Sequence, residues 1–322
     1  MINLSVVIPL YNEEESLPEL CNWISRVMES HGFSYEIILI NDGSTDNSWK
    51  VIKELSKLNE TIKAAKFNRN YGKSAALDTG FKLASGNVII TMDADLQDSP
   101  DEIPELYRMI IEDGFDMVSG WKKKRHDPIS KTVPSRFFNA TTRIISGIKL
   151  HDFNCGLKAY NHTVVKNIKV YGEMHRYIPV IAKWHGFNKI GEKVVEHRKR
   201  KFGTTKFGLE RFIFGFLDLL SITFVSKFKK SPMHFFGLLG TLSFLFGLGS
   251  TLWLIWKKLE AVYILKVPVL REVVDQPLFF LALVAIIVGV QLFMAGFIGE
   301  LLVINKSEND EYLVIDKVGL QD

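Results

Sequence analysis

The sequence predicts an α/β fold, a mostly parallel sheet flanked by helices, followed by two membrane-spanning helices. Three observations carry this. Short runs rich in Val and Ile alternate with helix-like segments through the first 120 residues, as in a parallel sheet covered on both faces. The apolar runs end in polar loops, which such a sheet gathers at one edge. Residues 235–256 and 277–299 contain no charged side chain, and each run is long enough to cross a bilayer core.

In order, residues 3–8 read as a buried strand ending at Pro9. Tyr11-Asn12-Glu13 leads to a helix with Ser16 as N-cap and Pro18 in its first turn. Residues 36–40 form a second strand, closing on Asn41-Asp42-Gly43-Ser44, a turn-forming sequence before a helix over 47–58. A third strand, 62–67, precedes Asn68-Arg69-Asn70-Tyr71-Gly72-Lys73 and a helix to residue 84. The fourth runs Val88-Ile89-Ile90-Thr91 into Met92-Asp93-Ala94-Asp95-Leu96-Gln97-Asp98. A helix over 101–112 and a strand over 115–119 complete the alternation, and residues 190–196 read as an edge strand, expected to be antiparallel.

The acidic stretch stands out. Two carboxylates converging at a strand tip repel unless a cation lies between them, and a hard divalent ion shared with substrate phosphates suits that role. An acidic strand-to-helix turn capped by Asp98 or Ser99 accommodates the same residues. This stretch alone does not separate the two. Gly72-Lys73-Ser74 is not a P-loop, because Phe67 stands where the motif needs its first glycine. Lys73 near a helix start is either a phosphate contact or a solvated charge.

A net charge of +4 over 322 residues does not call for nucleic acid. The basic residues cluster, however, at 122–125, 198–201 and 227–230, as solvated faces or as contacts for anionic ligands and lipid headgroups. Cys21 and Cys155 alone imply no disulfide framework and fit a reducing compartment. With Met1 leading straight into a strand, the N-terminal domain is expected in the cytosol. Residues 207–228 are apolar with Lys206, Glu210, Arg211 and Asp218 on one side, as in an interfacial helix or a buried core helix. Two crossings put both ends of the chain on one side, and the flanking lysines do not decide which.

Taken together, residues 6–13, 41–46, 68–73 and 93–98 resemble the family 2 glycosyltransferases, whose catalytic domains have the GT-A fold. Arg200-Lys201-Phe202-Gly203-Thr204-Thr205-Lys206 is similar to the Arg-x-x-Gly-x-Ser-Lys element of polyprenyl-phosphate glycosyltransferases. With two C-terminal spans, the chain resembles bacterial undecaprenyl-phosphate glucosyltransferases, and its catalytic domain resembles dolichol-phosphate mannose synthase. Thr205 replaces the usual serine, Lys158 a common arginine, and Asp152 stands near where relatives carry a candidate base.

The resemblance implies inverting transfer of one sugar from a nucleotide-diphosphate sugar, UDP- or GDP-linked, to polyprenyl phosphate at the cytosolic leaflet, for cell-envelope modification. It implies a divalent cation, Mg2+ or Mn2+, held at Asp95 with Asp93 nearby. Pro9, Tyr11, Glu13 and Asp42 would hold base and ribose. Lys73, Asp93, Ala94 and Gln97 would line the donor site, with Asp93 on ribose or metal and Gln97 on the sugar or pyrophosphate. Arg200 and Lys206 lead as acceptor-phosphate ligands, followed by Arg136 and Arg125. His175 and Arg176 line the acceptor entrance or are ordinary packing, and Asp152 ranks behind the metal pair as a catalytic residue.

The expected organisation is a cytosolic catalytic domain over 1–205, interfacial helices over 206–231, a transmembrane hairpin over 232–302 and a cytosolic tail over 303–322. This makes a multi-pass protein of a bacterial inner membrane, and relatives suggest a homo-tetramer. A processive polysaccharide synthase would carry a Gln-x-x-Arg-Trp element and more spans than this sequence has, and a non-catalytic scaffold would not need the acidic pair with Arg200 and Lys206.

Overall fold

The computed structural model describes residues 2–123, 139–172, 174–198, 201, 231–267 and 271–305. The chain divides into two compact units, Met1–Leu220 and Ser221–Asp322.

In the first unit the strands are β1 (Leu4–Leu10), β2 (Tyr35–Asn41), β3 (Ile62–Lys66), β4 (Val88–Thr91), β5 (Met117–Trp121), β6 (Lys158–Asn161) and β7 (Ile190–Val194). Among the described residues they form one sheet of order β3-β2-β1-β4-β6-β5-β7. The helices are α1 (Leu17–Ser30), α2 (Ser48–Leu58), α3 (Lys73–Leu83), α4 (Ile103–Ile111), α5 over 139–146, α6 (His162–Asn167) and α7 (Ile178–Trp184).

Strand periodicity builds a core on each face. Val6, Ile8, Ile37, Leu39 and Ile90 face one core, whereas Val7, Ile38, Ile40 and Ile89 face the other. Helix α1 covers the first with Leu17, Leu20, Ile24 and Met28, at helical spacing. Helix α3 covers the second with Leu77 and Phe81.

Three expectations are corrected. Strand β1 continues through Pro9 to Leu10, because β4 ends opposite Val7 and the missing proline N–H falls beyond that ladder. The predicted helix over 101–112 opens as a 3₁₀ turn at Pro100–Glu102 before α4. Strand β7 pairs parallel to β5, and the antiparallel strand is instead β6, between β4 and β5. Because β6 runs backwards, its first residue Lys158 sits opposite Thr91 and Ser119, at the edge where β4 and β5 end.

In the second unit α8 (Pro232–Leu259) and α9 (Pro277–Asn305) are long and apolar enough to cross a membrane, and a π-helical turn, Glu260–Ile264, follows α8. Glycines bring the pair together: a Cβ on Gly240 would sit 2.6 Å from the Gly289 carbonyl oxygen. Ser243 Oγ donates to the Ala285 carbonyl at 2.8 Å. Large side chains such as Leu245, Trp256 and Phe280 point outward, a surface suited to lipid rather than water. The expected interfacial segment over 207–228 and the basic cluster over 227–230 lie outside the described residues.

Candidate active site

The loops after β1, β2 and β3 are fastened to one another. Asn12 adopts φ 54°, its N–H donates to Ser44 Oγ at 2.9 Å, and its Oδ1 accepts the Thr45 N–H at 2.8 Å. The Glu13 N–H donates to Ser48 Oγ at 3.0 Å, while Glu14 accepts the Asn47 N–H at 2.7 Å. Asp42 is buried and accepts the Tyr71 and Gly72 N–H groups at 2.7 and 2.9 Å. Gly43, at φ 69°, lies so close to Arg69 that a Cβ would come within 2.3 Å of its carbonyl carbon. Asp42 therefore fixes the loop that launches Lys73, and Pro9, Tyr11 and Glu13 lie on the neighbouring strand end.

The acidic loop follows β4. Asp93 pairs with Lys73 at the start of α3, and 34% of its side chain remains exposed. Burial alone would raise its pKa, but Lys73, Lys122 and Lys158 outweigh that and hold the carboxyl well below the usual range. Gly156 packs flat on this carboxylate, its hypothetical Cβ 2.6 Å from Asp93 Oδ2. Asp95 is half-buried, and its Oδ1 accepts the Gln97 N–H at 3.2 Å. Between them Ala94 is buried, and Leu96 holds φ 60°, an uncommon conformation for a branched side chain that turns the chain sharply. The Gln97 side chain donates to the Arg198 carbonyl at 3.3 Å.

The segment leading into β6 forms the far wall. Glu192 accepts the His151 and Asp152 N–H groups at 2.7 and 3.1 Å. Asp152 is 1% exposed, and its Oδ1 accepts the Asn154 N–H at 3.0 Å. Thr91 Oγ1 donates to the Gly156 carbonyl at 2.9 Å, joining this segment to β4. Lys158 is buried, donates to the Cys155 carbonyl, and has its pKa lowered by burial and by Lys73. Burial also drives the Cys155 thiol up to about 12, so it stays protonated at neutral pH.

Pro9, Lys73, Asp93, Lys158, His175 and Arg176 line one cavity. The His175 ring and backbone both meet Ser74 Oγ, at 3.2 and 3.0 Å. Burial, then Lys73, Arg176 and Lys158, push the His175 pKa well below its ordinary value, so the ring is neutral at neutral pH. Arg176 is 8% exposed. The structure thus puts His175 and Arg176 in the same cavity as Asp93.

Arg125, Arg136, Arg200 and Lys206 lie outside the described residues. Sequence reasoning did not single out Gly156 or Lys122 as site residues. A glycine preceding a strand carries no signal of its own, and Lys122 is hidden inside a basic run.

Asp93 and Asp95 fit a divalent cation. Among the described residues no group of three or more His, Cys, Asp or Glu gathers at one point. A cation held by this pair would draw its remaining ligands from water and substrate phosphate, as Mg2+-type sites do.

The description "Glycosyl transferase family 2" matches residues 5–169. A dodecaprenyl-phosphate galacturonate synthase of Rhizobium johnstonii is 34% identical over 305 residues, spanning 94% of this chain and 88% of that protein. An undecaprenyl-phosphate 4-deoxy-4-formamido-L-arabinose transferase of Pseudomonas fluorescens is 37% identical over 220 residues, 68% of this chain and 64% of that protein. The solved glucosyl-3-phosphoglycerate synthase of Mycobacterium tuberculosis with UDP has a TM-score of 0.52 at 19% identity, covering 70% of this chain and 80% of that one. The same enzyme with Mn2+, UDP-glucose and glycerol 3-phosphate gives 0.51 at 18%, with the same coverages. These two likenesses concern the fold, which is of the GT-A type. With its profile match over half the sequence and a relative aligned along nearly all of it, the chain belongs to glycosyl transferase family 2.

Proposed function

We propose that this glycosyltransferase moves one sugar from a nucleoside diphosphate sugar to a polyprenyl phosphate at the cytosolic membrane face. The observation that carries the reading is the strand-end loop of Asp93 and Asp95, set among three lysines, in a chain that also holds an apolar helical pair. The names of the two relatives, which specify dodecaprenyl and undecaprenyl phosphate acceptors, support the same class.

The chemistry follows from charge. Asp95 and Asp93 would hold Mg2+ or Mn2+, which supplies neutralisation of the departing diphosphate. Lys73 lies beside Asp93 and lends further positive charge there. Pro9, Tyr11, Glu13 and Asp42 seat the nucleoside, Asp42 by holding the loop of Tyr71 and Gly72. The acceptor is already an anion and needs positioning more than deprotonation. Arg200 and Lys206, then Arg125 and Arg136, hold its phosphate. Attack opposite the leaving group inverts the anomeric centre. Asp152, buried and bonded to its own loop, serves the geometry of that loop before any proton transfer.

Both termini lie on the cytosolic side, with α8 and α9 crossing the membrane and residues 206–231 at its surface. A homo-tetramer is the proposed assembly. Purified full-length protein with undecaprenyl phosphate, a panel of labelled UDP- and GDP-sugars and Mn2+ should yield one lipid-linked monosaccharide with inverted configuration. Asp95→Asn should abolish it. Donor consumption with no lipid product from any sugar would refute the proposal.

A further inference from the structure

The acidic loop carries a third carboxylate that the chemistry above leaves unused. Asp98 is wholly buried, and its Oδ1 lies 2.7 Å from Lys122 Nζ. It forms an isolated antiparallel bridge with His197. Next to it the Arg198 N–H donates to the Gln97 carbonyl at 2.9 Å, and the Gln97 amide returns a bond to the Arg198 carbonyl at 3.3 Å. Helix α1 holds the same segment as well. Arg198 stacks over Trp23 at 4.4 Å, and Lys201 pairs with Glu19 at 2.6 Å.

Two basic stretches begin at this junction. Lys122 opens the one carrying Arg125 and Arg136, and His197-Arg198 opens the one carrying Arg200 and Lys206. Asp98 is three residues from Asp95, on a loop whose turn is set at Leu96. We infer that Asp98, through Lys122 and the 197–198 backbone, is a positioning residue that locks the donor loop to the two points from which the proposed acceptor-phosphate stretches continue in sequence. The inference rests on the acceptor assignment proposed above.

Physical chemistry supports a lock rather than a chance contact. Burial pulls the Lys122 pKa down, but the neighbouring groups, Asp98 first, lift it above its ordinary value, so the lysine is charged. A buried carboxylate needs its counter-charge, so Lys122 cannot leave while Asp98 stays charged. Displacement of either group is therefore transmitted to the other. The same lysine also acts electrostatically on Asp93, which joins the two halves a second time.

The test removes both charges together with Asp98→Asn/Lys122→Met, so that neither partner is stranded. The acceptor KM should rise about tenfold or more, as a misplacement near 1 Å allows, whereas UDP affinity with Mn2+, read by calorimetry, should fall by a clearly smaller factor that reflects loss of the Lys122 charge acting on Asp93. Combined with Arg200→Ala, the effect on acceptor KM should fall short of the product of the separate effects. An unchanged acceptor KM, or equal losses in donor affinity and acceptor KM, would overturn the inference. If the double variant does not fold, Lys122→Arg keeps the charge while altering its reach. It should raise the acceptor KM severalfold with UDP affinity retained, and a wild-type acceptor KM would count against the lock. Arg200→Ala alone separates the two readings: no change in its acceptor KM refutes the assignment of Arg200, whereas the lock is judged by the Asp98/Lys122 variants.

Discussion

Replacing Gly156 by alanine tests whether the acidic loop works through the exact placement of Asp93. The added Cβ would lie 2.6 Å from Oδ2, 2.7 Å from Cγ and 2.9 Å from Oδ1, so the carboxylate must retreat by roughly 1 Å to restore van der Waals contact. The atoms it meets are the tip of a partly exposed side chain, not backbone. Relief by rotation is therefore cheap, and the stability loss should stay at or below the low end of overpacking costs, about 1 kcal/mol. The site cannot absorb the same movement, because it breaks the Lys73 pair and shifts one of two candidate cation ligands. A displacement of this size costs up to about 100-fold in rate. Full-length protein in detergent, assayed for sugar transfer and thermal unfolding, should show a ten- to 100-fold lower kcat/KM for the donor and a melting temperature within a few degrees of wild type. Gly120→Ala is the contrast: its Cβ would meet Cys155 Sγ at 2.8 Å and the Leu157 carbonyl oxygen at 3.0 Å, so it should lower stability first. Wild-type donor kinetics in Gly156→Ala would refute the placement argument.

Three further outcomes follow from the same geometry. Asp95→Asn should reduce transfer at least about 100-fold and abolish the Mn2+ dependence of UDP binding measured by calorimetry; retained metal dependence would move the cation elsewhere. Asp42→Ala strands the Tyr71 and Gly72 N–H groups, which should cost about 1–3 kcal/mol of stability and weaken UDP binding, measured by unfolding and calorimetry. Glu36 concerns the fold alone. It is buried, and although burial opposes ionisation, bonds from Lys63, Ser5 and Ser85 bring its pKa from 4.5 to about 2. A depressed carboxyl pKa gives stability that is complete above about 4.5 and lost as pH falls through about 2, worth about 3 kcal/mol for this shift. Glu36→Gln should flatten the acid limb of the stability curve in that window, and an unchanged limb would refute the pairing.

The parallel half of the sheet was legible because strands such as Val6-Val7-Ile8 and Ile37-Ile38-Leu39-Ile40 are apolar on both faces, as a doubly covered sheet requires. The acidic loop was legible because aspartates are out of place at the tip of such a strand. Strand β6 was not: it has four residues, opens with a charged lysine and owes its place to partners far away in sequence. Its direction decided what the sequence could not say about the site, since it brings Gly156 and Lys158 to Asp93. Lys122 read as one of a basic cluster, either solvated or facing an anionic ligand, yet it pairs with Asp98, which is visible only in three dimensions. Asp42 was expected at the nucleoside, and the structure shows its carboxylate bonded to backbone some thirty residues ahead. The apolar helices α8 and α9 needed no such context, because length and absence of charge are properties of the sequence itself.

The most direct measurement is transfer of a labelled sugar from a panel of nucleoside diphosphate sugars to undecaprenyl phosphate by the purified full-length protein, with Mn2+ and with chelator. The expected result is a single lipid-linked monosaccharide from one donor, formed only with the metal and absent in Asp95→Asn. A lipid product of equal yield with chelator, or from the Asp95→Asn protein, would contradict the assignment of the acidic loop as the donor site.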